Sequence, residues 1–379
     1  MENTSLRISV VTETYPPEIN GVALTVERVV HGLQKNHSVQ LVRVRQDEKD
    51  LPQNGQIEEI LREGFPIPNY DGLKMGLPGG AALEKSWKIR RPDIVHISTE
   101  GPLGWSALRT ARRLGIPVST EFHTNFHNYS RHYGVGWLKG PITGYLRHFH
   151  NRANCTIVST EKMAQSLEGI GIKNLEIVER GVDAKRFHPA KRSAELRRKW
   201  GAGLAQPVAI HVGRLAPEKN LDLLVQTVER MRAAQPALKF VMVGDGPERK
   251  RLESSHPEYV FTGMLTGEEL AIHYASADIF LFPSLTETFG NVVVEAMASG
   301  LAVVAFDYAA ASRHARHGDS GLLAPPGSSS EFMRIAVELA NEPNLIADLG
   351  KKARMVVESL DLEIVNRRFE EVLFKVMGR

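Results

Sequence analysis

The sequence predicts an α/β protein built from two doubly wound parallel sheets, and three observations carry that prediction. Short runs rich in β-branched residues alternate with helical stretches along the chain. The runs are almost continuously apolar rather than alternating, as strands are when both faces of a sheet are covered. The series also runs once, is interrupted by a charged interval, and starts again. The chain has 379 residues, 42% hydrophobic and 24% charged, which suits two domains of roughly 150–200 residues each.

Strands are predicted first at "LRISVVTE" (6–13), "SVQLVRV" (38–44), "DIVHIST" (93–99), "PVSTEFH" (117–123) and "CTIVST" (155–160), with helices at 25–36, 103–115 and 161–171. The second series holds strands at "PVAIHVG" (207–213), "KFVMVGDG" (239–246), "YVFTGML" (259–265), "IFLFPS" (279–284) and "AVVAFD" (302–307), with helices at 220–236, 268–277 and from about 291 to 299. Residues 180–207, rich in charged and turn-forming types, read as the linker; an exposed insertion has the same composition. The domains are therefore placed at 1–184 and 185–360, with a last helix at 361–379. Ligands of open parallel sheets bind beyond the carboxyl ends of the strands, so a crevice shared by the two sheets is the expected site.

Composition excludes several classes. The single Cys155 forms no internal disulfide, and fourteen His without Cys partners give no zinc spacing. No run of about 18 apolar residues occurs, and the segment "MENTSLRISVVTETYPP" lacks the basic and apolar regions of an export signal, so a cytoplasmic protein is expected. Net charge is only +3, but residues 104–152 carry Arg109, Arg112, Arg113, Arg131, Lys139, Arg147 and Arg152 against Glu121 alone. That stretch suits either a solvated basic face or attachment to an anionic membrane. An RNA-recognition signature is absent, and no nucleic-acid partner is expected.

The segment "FPSLTETFGNVVVEAMASG" (282–300) places Glu287 on a loop at a strand's carboxyl end and Glu295 one turn into a helix. Gly290 permits the tight turn, and Gly300 ends the helix. Val292, Val293, Ala296 and Met297 are expected to face inward, with Asn291, Glu295 and Ser299 on another face. Free amides at the helix start make a phosphate site. Arg214 and Lys219, in "HVGRLAPEKN" (211–220), follow a strand of the same sheet and suit a pyrophosphate leaving group. Alone, such a pair is more often a solvated surface pair, and the phosphate-binding helix start in the same sheet reverses that reading. "VMVGDGPERKRL" (241–252) has Arg249 where a dinucleotide fingerprint needs its third glycine, and no Walker lysine follows.

Together "ETFGNVVVEAMASG", "GRLAPEKN", "VGDGP" (243–247), "RGVDAKRFHP" (180–189), "TYPPEINGVALTV" (14–26) and "EFHTNFHNYSRHYG" (121–134) resemble the retaining glycosyltransferases of the GT-B fold, family 4. The resemblance is greatest to bacterial enzymes that modify lipid-linked acceptors, of mannosyl, glucosyl and sulfoquinovosyl type. It implies two Rossmann-like domains facing a cleft, the last helix crossing back to the first domain, and a nucleotide-sugar donor held without metal or other cofactor. Arg214 and Lys219 would hold the pyrophosphate, Glu287 the hexose hydroxyls and Glu295 the ribose. The amides of Phe289, Gly290 and Asn291 would touch the distal phosphate or the sugar, and Thr262, Gly263, Met264 and Leu265 would line the base. From the first domain, Gly21 would give room beside the diphosphate and His123 would orient the sugar. The first-domain loop departs from the family in reading Asn20-Gly21, where two adjacent glycines are frequent. The acceptor implied is a glycolipid or lipid-linked hydroxyl at the inner face of the cell membrane. A nucleotide-sugar 2-epimerase or a non-catalytic nucleotide-sugar-binding protein fits the same motifs.

Overall fold

Buried runs of Val, Ile, Leu and Phe supply the central strands of a computed structural model that describes residues 5–18, 20–48, 50–52, 57–67, 74–123, 139–203, 205–287 and 289–378. The chain divides into two units, one of residues 1–180 and 363–379, the other of residues 181–362. In the first, the strands are β1 (Arg7–Thr12), β2 (Ser38–Val44), β3 (Glu58–Arg62), β4 (Gly64–Pro66), β5 (Lys74–Gly76), β6 (Ile94–Ile97), β7 (Val118–Glu121), β8 (Cys155–Val158) and β9 (Leu175–Ile177). Seven form one parallel sheet in the order β3-β2-β1-β6-β7-β8-β9, and β4 pairs antiparallel with β5. The helix Leu362–Val376 packs Phe369, Val372 and Leu373 against Ile8, Val10, Val30 and Ile157 of this unit.

The second unit has β10 (Val208–Val212), β11 (Lys239–Val243), β12 (Val260–Gly263), β13 (Ile279–Phe282), β14 (Ala302–Phe306) and β15 (Leu322–Ala324), all parallel, in the order β12-β11-β10-β13-β14-β15. The chain moves outward from β10 through β11 to β12 and then returns to β10's other side as β13. Loops leaving β10 and β13 therefore diverge, and a topological switch point lies between them. In the first unit the same reversal falls between β1 and β6.

Residues 181–207 are not a linker. Val182, Phe187 and Trp200 belong to the second unit's core. Arg197, 1% exposed, donates to the carbonyls of Ser276 at 2.7 Å and Gly203 at 3.0 Å, and reaches Asp278 at 3.0 Å. Of the charges that made this segment read as solvated, Arg197 is drawn inside the fold, while Lys185, Arg186, Arg192, Glu195, Arg198 and Lys199 stay exposed.

Candidate active site

Each candidate of the second unit is set by an element that ends at the switch point. After β10 the chain turns through Gly213 and Arg214 into the short helix Pro217–Lys219, and Asn220, at φ 57°, redirects it into the helix Leu221–Ala234. Asn220 Nδ2 donates to the Pro283 carbonyl at 3.3 Å, and Thr286 Oγ1 donates to the Glu218 carbonyl at 3.1 Å, so the loops after β10 and β13 are laced together. Gly244, at φ 139°, would place a Cβ 1.9 Å from the Gly213 carbonyl oxygen. Its glycine is required by the Arg214 turn, since Leu215 N–H donates to the Asp245 carbonyl at 2.8 Å. The "GDG" sequence is thus a backbone rest for the cation-bearing loop, and Arg249 binds Asp245 at 3.0 Å and Glu253 at 2.7 Å.

Lys219 Nζ forms an ion pair with Glu287 Oε1. Ser284 Oγ donates to the same oxygen at 2.9 Å, and Tyr308 Oη donates to the Glu287 carbonyl at 3.0 Å. Burial opposes the charged form of Glu287, but the adjacent ammonium and the hydrogen bonds from Lys219 and Ser284 outweigh it and hold the carboxyl below its ordinary range. Lys219 also stands 6.0 Å from the centre of the Phe282 ring. Arg214, 38% exposed, has its guanidinium 3.8 Å from Glu218.

The helix Asn291–Ala298 starts at Gly290, whose φ of 92° suits glycine, and Gly290 offers no side chain to cap that end. The face holding Glu295 and Ser299 is covered as well as the expected inward stripe. Val293 through Ala298 are all buried, Glu295 among them at 5% exposure, and Ser299 is buried as well. The helix lies between β14, the helix Pro343–Val357 and the helix Gly267–Ser276, so apolar residues cover it nearly all round. Glu295 is consequently no solvated surface acid; Tyr274 Oη approaches it at 3.5 Å. Phe289 is buried against His314, with ring centres 5.7 Å apart. At the end of β12, Thr262 Oγ1 donates to the Gly263 carbonyl at 3.0 Å, Leu265 packs on the core, and Met264 is 44% exposed.

In the first unit Gly21 opens the helix Gly21–Gln34, and the Asn20 side chain caps it by accepting from the amides of Val22 at 2.9 Å and Ala23 at 2.8 Å. A Cβ on Gly21 meets nothing within 4 Å, so packing does not require glycine here. Gly21→Val is accordingly expected to leave the melting temperature nearly unchanged, within about 0.5 kcal/mol of stability, while a ligand that approaches this backbone loses affinity. Thermal melts and donor titrations of the variant check both halves.

His123, at the end of β7, is 6% exposed. Arg180 Nη2 donates to its Nδ1 at 2.8 Å, and its Nε2 faces Glu121 Oε2 at 3.2 Å. Glu121 is also paired with Arg180 and lies 3.4 Å from His96. Burial disfavours its charge, but Arg180 and the two histidines hold it well below the carboxylate range. His127, His132 and Arg131 lie outside the described residues, as do 124–138 of the "EFHTNFHNYSRHYG" motif. Of the basic stretch, Arg109, Arg112, Arg113, Arg147 and Arg152 are exposed. Arg113 pairs with Glu84 at 2.6 Å. Arg152 stands 5.8 Å from the Trp105 ring, which also packs against Tyr145 and His148.

Four participants were not singled out from the sequence, although each lies in a quoted segment: His211, Ser284, Arg180 and Glu13. The Glu13 carboxyl accepts from the amides of Leu103 at 3.0 Å and Gly76 at 3.2 Å, beside the first unit's switch point. Burial chiefly, with Glu100 nearby, pushes its pKa up to about 7. A carboxyl raised on folding contributes stability that is fully present below its unfolded pKa and is lost as pH rises through about 7. Urea unfolding at about pH 5 and about pH 8.5 is expected to show this decline in the wild type and a smaller one in Glu13→Gln, which cannot ionise.

Two doubly wound parallel sheets flanked by helices are the architecture of the GT-B class of glycosyltransferases. The chain belongs to glycosyltransferase family 4. Residues 19–186 match the profile "Glycosyltransferase Family 4" and residues 206–342 match "Glycosyl transferases group 1". A GDP-mannose-dependent alpha-mannosyltransferase of Mycobacterium tuberculosis is 35% identical over 88% of this chain and 87% of its own length. The alpha-monoglucosyldiacylglycerol synthase of Acholeplasma laidlawii is 25% identical over 99% of this chain and 98% of its own. Among solved structures, sucrose-phosphate synthase from Thermosynechococcus elongatus superposes with a TM-score of 0.80 over 98% of this chain and 99% of its own, at 19% identity.

Proposed function

We propose that this glycosyltransferase moves a hexose of mannose or glucose type from a GDP- or UDP-sugar to a hydroxyl of a glycolipid or lipid-linked acceptor, with retained configuration and without a metal. The observation that carries the reading is the Lys219–Glu287 pair between the loops after β10 and β13. A diphosphate drawn to this point competes with Glu287 for the ammonium, and Glu287 then takes hydrogen bonds from hexose hydroxyls. Arg214, Lys219 and the amides at Gly290 and Asn291 supply positive potential where the leaving diphosphate gains charge, the role a metal plays elsewhere. Glu295 is assigned to the ribose, and Thr262, Gly263, Met264 and Leu265 to the base. The first unit contributes Gly21 beside the diphosphate and His123 toward the sugar, held in one tautomer by Arg180. Retention follows if the acceptor hydroxyl attacks from the leaving-group face and passes its proton to the departing phosphate oxygen. Support comes from relatives whose names specify alpha-linked products, because GDP-mannose and UDP-glucose are themselves α-linked.

The acceptor reading draws on the diacylglycerol named in one relative's product. It also draws on the half-buried Trp105 and the exposed Arg109 and Arg112, which fall i, i+4 and i+7 on the helix Pro102–Arg113. An aromatic among arginines suits an anionic interface, and peripheral attachment to the inner leaflet is proposed on that ground. No helix among the described residues is long and apolar enough to cross a membrane.

Labelled GDP-mannose and UDP-glucose, incubated with anionic vesicles containing diacylglycerol and a chelator, test the reading. Label in an organic-extractable, α-linked product supports it. Conversion of donor in acceptor-free buffer identifies an epimerase, and binding without turnover identifies a sensor. A requirement for divalent metal removes the metal-independent part.

A further inference from the structure

Beneath the Lys219–Glu287 pair, His211 is fully buried on β10. Its Nδ1–H donates to the Leu281 carbonyl at 3.0 Å. A carbonyl only accepts, so the ring proton is fixed on Nδ1 and Nε2 presents a lone pair. Burial pushes the pKa of this histidine down to about 4, with Lys219 adding to the effect, so the ring is neutral at physiological pH. Nε2 has no hydrogen-bond partner among the described residues. A buried acceptor in that state costs about 1–3 kcal/mol, and a strand interior offers cheaper residues. The acceptor faces the site: a Cβ on Gly213 would stand 3.5 Å from Nε2, and both Lys219 and Glu287 act electrostatically on the ring. The ring is also stacked on Phe282, at 6.1 Å and 21°.

We propose that His211 Nε2 is a specificity-determining acceptor that, beside Glu287, receives a hydrogen bond from a hexose hydroxyl of the donor once the diphosphate has drawn Lys219 away. The inference rests on the donor site proposed above. When Lys219 turns to a diphosphate that carries no sugar, Glu287 keeps only the Ser284 hydroxyl among its side-chain donors and His211 Nε2 stays without one. A hexose with adjacent hydroxyls supplies donors to both. His211 therefore favours the intact sugar nucleotide over the bare nucleoside diphosphate, which is also the product to be released.

The test uses the full chain and two matched probe pairs, GDP-mannose against GDP and UDP-glucose against UDP. In the wild type labelled with ¹⁵N-histidine, the Nε2 resonance of His211 is expected to move on adding the preferred sugar nucleotide and to stay in place with its nucleoside diphosphate. His211→Asn keeps a donor for Leu281 and deletes Nε2; it is expected to lose about tenfold in affinity for the sugar nucleotide, the scale of one hydrogen bond, with affinity for the diphosphate nearly unchanged. His211→Gln, which returns an amide to the Nε2 position, is expected to recover part of that loss. A resonance that responds equally to both ligands or to neither overturns the proposal, as does a His211→Asn variant weakened equally for both. A chain that binds none of the four probes instead overturns the donor site itself.

Discussion

Lys219→Ala is expected to lower kcat/KM for hexosyl transfer by about 10³, the scale seen when one group that stabilises developing oxyanion charge is removed. Two losses combine in that figure. The ammonium no longer meets the diphosphate, and Glu287 is left as a buried carboxylate supported by Ser284 alone among the side chains bonded to it. The second loss also reaches folding. With Lys219 present, the Glu287 pKa is depressed, so its contribution to stability exists above the unfolded carboxyl value and is lost as pH falls through the folded one. With Lys219 gone, burial is opposed by little more than the Ser284 hydrogen bond, and the expected sign reverses: stability is kept below the unfolded value and declines as pH rises. Lys219→Ala is therefore expected to be nearer the wild type in urea unfolding at about pH 5 than at about pH 8. The double variant Lys219→Ala/Glu287→Gln should recover stability at the higher pH and remain inactive. That combination separates the diphosphate role from the structural one.

Arg180→Met is expected to destabilise the chain by about 3–5 kcal/mol, because it leaves the buried Glu121 without its strongest cation. The wild-type Glu121 carboxyl is depressed, so its stabilising contribution is present at neutral pH and disappears only as acid takes the pH through its folded value. The variant should lose most of that contribution at neutral pH, and Arg180→Met/Glu121→Gln should regain much of it, since no buried charge is then stranded. Arg180 also fixes the His123 tautomer by donating to Nδ1 at 2.8 Å. Activity of the double variant consequently reports on His123: a restored fold with turnover still depressed assigns the ring orientation to Arg180 and Glu121, which face its two nitrogens. Urea unfolding and steady-state kinetics on the same preparations read both effects.

The parallel sheets were legible because their central strands are buried on both faces. "SVQLVRV" and "IFLF" stand in the sequence almost at the limits of β2 and β13. Of the four edge strands only β12 was legible, as "YVFTGML". β3 reads "EEILR" and is half-buried throughout, and β9 and β15 are three residues each, too short for a pattern. Short or strongly charged helices such as Ala194–Lys199 and Arg249–Ser255 were hidden for the same reason. Of the candidate site, the spacing of Glu287 and Glu295 and the placement of Arg214 and Lys219 on a neighbouring loop could be read from motifs. Pairwise contacts could not. Lys219 and Glu287 are 68 residues apart, and nothing local in either segment indicates that they pair. Glu295 was legible only as lying on another face than the Val292–Met297 stripe, because periodicity locates faces but not which of them the next layer covers. His211 lies in an apolar strand where a histidine reads as a satisfied core residue; only its orphaned Nε2 distinguishes it.

The most direct test of the account is a crystal structure of the chain with its preferred sugar nucleotide. The expected result places diphosphate oxygens within hydrogen-bond distance of Lys219 and Arg214 near the start of the helix Asn291–Ala298, with the Lys219–Glu287 pair opened and Glu287 on a hexose hydroxyl. A donor bound elsewhere, with Lys219 still joined to Glu287, contradicts it.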